Sequence, residues 1–208
     1  MNKKSFFITL EGPEGAGKST QAGVVTDYLT DLGMDVVRTR EPGGVSISEQ
    51  LREILLKPGS AISPRTELLL YAAGRAQHTS ELIMPALKEG KSVICERYTH
   101  ASLAYQGYGR QLDKELIRTL NEVATMGLKP DLTIIFNISA EEGLSRVASS
   151  ERTFDRLESE NIQFHRRVRD GYLALAENDP NIEVVDARLP EKALSEKIIE
   201  ILRRRKIC

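Results

Sequence analysis

Two hydrophobic rhythms alternate along the chain. Five short runs are rich in apolar residues: FFITL (6–10), DVVRT (35–39), SVICE (92–96), LTIIFNI (132–138) and IEVVD (182–186). Four of them carry paired or tripled aliphatics without strict alternation, the pattern of strands buried on both faces in a parallel sheet. Between them, apolar residues recur at helical spacing. Val25, Tyr28, Leu29 and Leu32 share one face, with Gly33 as a stop. Ile47, Leu51, Ile54 and Leu55 repeat the pattern, as do Leu116, Leu120, Val123 and Ala124, and Leu194, Ile198, Ile201 and Leu202. Phe164 and Tyr172 lie on a further apolar helical face and read as core rather than ligand contacts. A helical stretch from about Pro64 is expected to break or kink near Pro85, because proline brings no amide donor. The alternation predicts an α/β fold, a five-stranded parallel sheet flanked by helices and joined by right-handed crossovers. No repeat, low-complexity tract or long linker divides the 208 residues, so one domain is expected.

Charge narrows the partners. The formal net charge of −1 gives no global case for nucleic acid or an anionic membrane. The one dense basic run, Arg203 to Lys206, ends the last predicted helix, where cations complement the macrodipole. Cys95 and Cys208 form neither a metal-like spacing nor a disulfide framework, which fits a reducing cytoplasm. The N-terminal apolar run stops at Glu11, too short for a signal peptide or a membrane span, so a soluble cytoplasmic protein is expected.

The segment between the first strand and first helix carries the clearest chemistry. Gly12-Pro13-Glu14-Gly15-Ala16-Gly17-Lys18-Ser19, followed by Thr20, fits G-x-x-x-x-G-K-[ST]. Glycines let the backbone approach phosphate, successive amides form an anion nest, and the helix N-terminus points unpaired N–H groups at the same anion. Lys18 is expected to reach the transferring end of a triphosphate, and the Ser19 hydroxyl to ligate Mg²⁺. That predicts a Mg-nucleoside triphosphate site in a P-loop NTPase fold, without saying what the phosphate is for. A small-molecule kinase, a guanine-nucleotide switch and an ATPase driving a partner all remain. The guanine-reading N-K-x-D motif is absent. Glu14, a carboxylate in a phosphate loop, is the odd residue.

A second substrate site is suggested further on. RTREPGG (38–44) holds Arg40 and Glu41 at the carboxyl edge of the sheet, with Arg52 on the next helix. YAAGRAQH (71–78) sets Tyr71 and Arg75 four apart on one helical face. Either pair alone reads more simply as packing and a solvated cation. ERYTHASLAYQGYGR (96–110) is harder to dismiss, because it gathers Glu96, Arg97, Ser102, Tyr105 and Gln106 directly after a strand. An arginine fork can clamp phosphate, an amide can read a base, and an aromatic ring can stack on it.

These segments, with EGPEGAGKST, KPDLTIIFNISAEEGLSR and DRLE, stand in the order and spacing of bacterial-type thymidylate kinases, which the chain resembles from about residue 5 to about residue 190. The resemblance implies phosphorylation of dTMP to dTDP by Mg-ATP, a step toward dTTP, in a homodimer. It implies that Arg97 and Arg40 hold the acceptor phosphate, that Glu41 faces the sugar, and that Arg52 lies near phosphate and base. Tyr71 stands where the family usually stacks a phenylalanine on thymine. Arg75 meets thymine O4, Ser102 and Gln106 read the base near N3, and Tyr105 crowds the sugar 2′ position. Glu96, where many members have aspartate, either acts near the metal or orients Arg97. A mobile lid of about residues 149–160 brings Arg152 and Arg156 over the donor phosphates, and Arg146 flanks the adenine. With these arginines in the lid, Glu14 is left to touch the acceptor sugar, the metal through water, or water alone. Asp155 could help organise the lid, and His78, His100 and His165 read as surface or packing residues. The rivals are another nucleoside monophosphate kinase and a regulatory ATPase with no small acceptor.

Overall fold

The structure is a computed structural model and describes residues 5–149, 153–177 and 179–207. In chain order the elements are β1 (Phe7–Glu11), α1 (Lys18–Asp31), β2 (Val36–Arg40), α2 (Ser46–Leu56), α3 (Pro64–His78), α4 (Met84–Lys88), β3 (Ser92–Glu96), α5 (Thr99–Ser102), α6 (Lys114–Thr125), β4 (Leu132–Asn137), α7 (Ala140–Ala148), α8 (Ile162–Ala176), β5 (Ile182–Asp186) and α9 (Glu191–Arg204). Two π-helical turns, Thr79–Ile83 and Leu103–Gly109, interrupt the α-helical geometry.

The strands form one parallel sheet in the order β2-β3-β1-β4-β5. β1 is buried along its whole length, and β3 and β4 up to their last residue, while the edge strands β2 and β5 are only partly covered. Central strands with helices on both faces leave no position for a polar alternation, which is why their sequences run apolar. On one face Ile8, Leu10, Ile134 and Phe136 pack with Val25 and Leu29 of α1 and Ile198 and Leu202 of α9. Each such side chain contributes about 1.5–3 kcal/mol on full burial. The other face packs Ile135, Tyr105, Leu157, Phe164 and Tyr172 in one cluster, and Phe7, Val93, Cys95 and Tyr98 in another. β1 lies where the strand order turns, so the loop leaving its carboxyl end opens into the crevice where ligands of such sheets bind.

Several sequence expectations need adjustment. Leu32 is the C-cap of α1 and is 48% exposed, with Gly33 supplying the left-handed turn after it. In α2 and α6 the buried residues include Leu55, Ile117 and Ala124, whereas Ile47, Ile54, Leu116 and Val123 stay exposed, Val123 at 73%. Helical period marks an apolar face; it does not say what covers it. The break expected at Pro85 takes the form of the π turn Thr79–Ile83, just ahead of that proline. Widening the turn accommodates a ring that would otherwise strike the carbonyl four residues back. The basic C-terminal run is engaged within the fold: Arg203 donates to the Tyr28 hydroxyl at 3.0 Å, and Arg204 and Arg205 pair with Glu183 at 2.7 and 2.5 Å. Among the described residues no helix is long and apolar enough to cross a membrane. Cys95 is a buried free thiol, and Cys208 lies outside the described residues.

Candidate active site

The loop between β1 and α1 is shaped by close backbone approaches. Gly12 and Gly15 have φ of 137° and 65°, in the region that side chains avoid. A Cβ on Gly12 would stand 2.6 Å from the Phe136 carbonyl oxygen, and one on Gly15 would collide with the Gly143 carbonyl of α7. The N-cap of α1 is Gly17, which has no side chain to satisfy the first-turn amides. Those donors are therefore available to an anion. Lys18 Nζ donates to the carbonyls of Gly12 and Pro13 at 3.0 and 2.5 Å. Burial, then the nearby Arg97 charge, pull its pKa down to about 7. A polyphosphate would restore that charge, so cradle and anion stabilise each other. Ser19 Oγ donates to Glu96 Oε2 at 2.5 Å, and Arg38 reaches both Glu96 Oε1 at 3.0 Å and the Ser19 carbonyl at 2.6 Å. A hydroxyl and a carboxylate in contact at the mouth of the loop are hard oxygen donors of the kind Mg²⁺ takes.

A cavity of about 490 Å³ runs from this loop across the sheet edge. Residues 14–20 line its floor, and all nine residues expected at the acceptor line its walls: Arg40, Glu41, Arg52, Tyr71, Arg75, Arg97, Ser102, Tyr105 and Gln106. A second recess of about 230 Å³ lies beyond Arg146, bounded by Gly17, Thr20, Gln21, Ala187 and Leu189. Arg146 spans the two, donating to the carbonyls of Ala187 at 2.9 Å and Gly15 at 3.4 Å.

Arg97 follows β3 with a φ of 66° and is held from several sides. Its NH1 donates to the Gly12 carbonyl at 3.0 Å and to the Tyr172 hydroxyl at 3.2 Å, its NH2 to Glu14 Oε1 at 3.2 Å, and its guanidinium stacks 4.8 Å from the Tyr105 ring centroid. Glu14 also accepts from the Tyr105 hydroxyl, and its Oε2 lies 3.5 Å from His165 Nδ1. Burial alone would raise the Glu14 pKa, but His165, Arg97, Lys18 and Tyr105 together hold it at about 2. The odd carboxylate of the loop thus turns toward Arg97, Tyr105 and His165. Glu96 contacts Ser19 and Arg38, whereas other groups orient Arg97.

Deeper in the wall, fully buried Arg75 donates to Glu41 Oε2 at 2.8 Å, Ser102 Oγ at 2.8 Å, Asn121 Oδ1 at 2.6 Å and the Tyr98 carbonyl at 2.7 Å. Four of its five N–H groups are used. Glu41 precedes a cis peptide bond to Pro42 and is flanked by His78 Nδ1 at 3.1 Å. Arg52 donates to the Pro42 carbonyl at 2.8 Å. Exposed Arg40 pairs with Glu49 at 3.0 Å, a contact worth about 1 kcal/mol or less and easily exchanged for an anion. The Tyr71 hydroxyl is pushed above its ordinary pKa by burial, then by Glu67, and stays neutral.

The sequence model of a family described as Thymidylate kinase matches residues 10–198. The chain belongs to the thymidylate kinase family. It is 46% identical over 201 residues to the thymidylate kinase of Clostridium novyi (strain NT), covering 95% of this chain and 98% of that protein. The crystal structure of thymidylate kinase from Ehrlichia chaffeensis at 2.15 Å resolution superposes with a TM-score of 0.78 at 32% identity, covering 96% of this chain and 99% of that one. The five-stranded parallel sheet with its phosphate loop is the P-loop NTPase fold of this family. As a member, the chain is a nucleotide-binding transferase that phosphorylates dTMP to dTDP.

The expected lid differs in one arginine. Arg156 does not line the cavity. Its Nε donates to the Leu55 carbonyl at 2.7 Å and its NH1 meets Glu67 Oε2 at 2.7 Å, both at buried positions. The next residue, Leu157, is drawn into the cluster with Phe164 and Tyr172, and Asp155 Oδ1 caps the turn by accepting from the Leu157 and Glu158 amides at 2.8 and 2.9 Å. That turn aims Arg156 at Glu67 of α3 and away from the cavity. Arg152 lies outside the described residues.

Sequence reasoning missed several supporting groups. Glu11, at the end of β1, accepts from the Tyr98 amide at 2.7 Å and from the Tyr172 hydroxyl at 2.9 Å. A carboxylate closing an apolar strand was the available signal. Tyr172 is core, as expected, yet its hydroxyl links Glu11 to Arg97. His78 and His165 are buried against Glu41 and Glu14.

Proposed function

We propose that the chain transfers the γ-phosphoryl group of Mg-ATP to the 5′-phosphate of dTMP inside the 490 Å³ cavity. The observation that carries this reading is the continuity of the phosphate loop with an acceptor wall rich in arginine and ending in an amide. An oxygen of the dTMP phosphate attacks the γ-phosphorus, the bond to the β–γ bridging oxygen breaks, and ADP leaves. The chemistry asks mainly for alignment and charge stabilisation. Lys18, released from the Gly12 and Pro13 carbonyls, follows the transferring group. Arg97, with Arg40 and Arg52, holds the acceptor phosphate in line, and Glu14 faces the acceptor sugar. Arg152 supplies lid charge at the donor phosphates. Arg146 flanks an adenine seated in the smaller recess, a reading supported by its position between the two hollows. Gly12 to Thr20 wrap the polyphosphate with backbone amides and the Ser19 and Thr20 hydroxyls.

Mg²⁺ is proposed at the Ser19 hydroxyl with Glu96 beside it, where it would neutralise charge on the β- and γ-phosphates. On the acceptor side Tyr71 offers its face to thymine, Arg75 lends its remaining N–H to O4, and Ser102 and Gln106 read near N3. Tyr105 crowds the 2′ position and Glu41 faces the sugar. A cytoplasmic role in dTTP supply fits the buried free thiol of Cys95. A homodimer is proposed through the exposed Ile47 and Ile54 of α2, Leu69 of α3, and Leu116 and Val123 of α6. These three helices pack side by side. A sedimentation run showing only monomer at tens of micromolar would rule that assembly out.

ADP release with Mg-ATP across a panel of ribo- and deoxynucleoside monophosphates tests the activity. We expect turnover to depend on dTMP. Equal ATP consumption with and without an acceptor would overturn the kinase reading.

A further inference from the structure

Glu67 sits in the first turn of α3 and does not line the cavity. It is completely buried, yet four donor groups converge on it: Gln106 Nε2 at 2.8 Å, Arg110 Nε at 3.2 Å and NH2 at 3.0 Å, and Arg156 NH1 at 2.7 Å. Burial favours the neutral acid, but the Arg110, Gln106 and Arg156 hydrogen bonds outweigh it and hold the group below its ordinary pKa. An ionised carboxylate only accepts hydrogen bonds. Gln106 can therefore meet it with its NH₂ and not with its carbonyl. The opposite end of the amide, Oε1, has no hydrogen-bond partner among the described residues, and Gln106 lines the cavity.

An amide free to turn over could match either kind of pyrimidine. Thymine presents a donor at N3 and an acceptor at O4; cytosine presents an acceptor at N3 and a donor amine at C4. A Gln106 locked with its oxygen toward the cavity complements an N3–H and opposes a bare N3. Arg75, which can only donate, makes the same choice at the neighbouring position.

We propose that Glu67 is a positioning residue for base selection: it fixes the orientation of the Gln106 amide, so that the acceptor site takes an N3–H pyrimidine and rejects cytosine. This rests on the reading of Gln106 as a base contact. Glu67 touches no substrate and acts through its neighbour. Because it also anchors Arg156, its loss affects folding as well. The test therefore uses a ratio that does not depend on the fraction of active enzyme.

The KM for dTMP and the Ki of dCMP as a competitive inhibitor are measured for the wild type, Glu67→Gln, Gln106→Met and the double variant. The wild type is expected to prefer dTMP strongly. Glu67→Gln can both donate and accept, which frees the Gln106 amide. The Ki(dCMP)/KM(dTMP) ratio should then fall about tenfold, the size of one well-placed hydrogen bond. Gln106→Met should lower the ratio as well, and adding Glu67→Gln to it should change nothing further. If Gln106→Met leaves the ratio and the KM for dTMP unchanged, Gln106 does not read the base, and both readings fall together. If Gln106→Met lowers the ratio and Glu67→Gln does not, the base contact stands and the role of Glu67 is refuted. An equal drop on adding Glu67→Gln to Gln106→Met also refutes it. Should Glu67→Gln not fold, Glu67→Asp withdraws the carboxylate by one methylene, and a ratio at the wild-type value in that variant overturns the proposal.

Discussion

The two halves of the cavity are made from different materials. The donor half is backbone: glycines in left-handed conformations, the uncapped first turn of α1, and one lysine leaning on carbonyls six and five residues away. The acceptor half is side chain: Arg75 with Glu41, Arg97 with Glu14, and Gln106 with Glu67, pairs separated by 34, 83 and 39 positions. The backbone cradle is drawn from one stretch of chain, although it leans on the Phe136 and Gly143 carbonyls. A side-chain wall exists only once the whole sheet edge has assembled. Damage to the first should cost chemistry and spare stability, whereas damage to the second should cost both.

The largest effect tests the donor half. Lys18→Ala should cut turnover by about a thousandfold, the scale of losing a charge aimed at the transferring group. The variant should be at least as stable as the wild type, since a buried lysine with a lowered pKa opposes folding, and a large drop in melting temperature would mean that the cradle is structural after all. In the acceptor half, Arg75→Ala leaves Glu41 buried with only His78 beside it, a loss of about 3 kcal/mol of stability. Denaturant unfolding should show this together with a higher KM for dTMP, and an unchanged unfolding midpoint would erase the contrast between the halves. Arg156→Ala is the intermediate case, because Glu67 keeps Arg110 and Gln106. About 2 kcal/mol of stability should be lost, with turnover less affected than in Lys18→Ala. Wild-type unfolding combined with collapsed turnover would instead return Arg156 to the donor phosphates.

The last effect is electrostatic. Lys18 titrates near pH 7 in the folded chain against 10.5 for an ordinary lysine, so above about pH 7 the unfolded chain holds the extra proton. Its contribution to folding stability should therefore become less unfavourable as pH climbs from about 7 toward about 10. Melting curves of the wild type and Lys18→Met across that window read this directly. Parallel curves would show that Lys18 does not titrate there.

The same contrast governs what could be read without coordinates. The phosphate loop is eight consecutive residues, and the strands were legible to within a residue because central burial imposes an apolar run. Glu96 and Arg97 stood out by following such a run. Glu67 could not stand out: an acidic residue in a first helical turn is what the helix dipole favours anyway. Tyr172 announced an apolar face but not the hydroxyl that ties Glu11 to Arg97. Ile47 and Val123 had the period of core residues yet remain open to solvent, since spacing records a face and not its covering. Arg156 reads as a lid cation by resemblance, and nothing in the sequence shows that the burial of Leu157 turns it inward to Glu67.

The meeting of Gly15 with Gly143 has a consequence for how this enzyme can drift or be redesigned. A Cβ built on either glycine collides with backbone, on Gly15 with the Gly143 carbonyl and on Gly143 with the Glu14 carbonyl. The phosphate loop and α7 therefore lie at the separation of bare main chains, with not even a methyl group's thickness to spare. Arg146 rides on that helix, so a single methyl at position 143 would act as a shim, tilting the Arg146 arm away from the cradle while leaving every charged group intact. Two positions without functional groups thus set the tolerance of the donor end, and a search for important residues by their chemistry would overlook both.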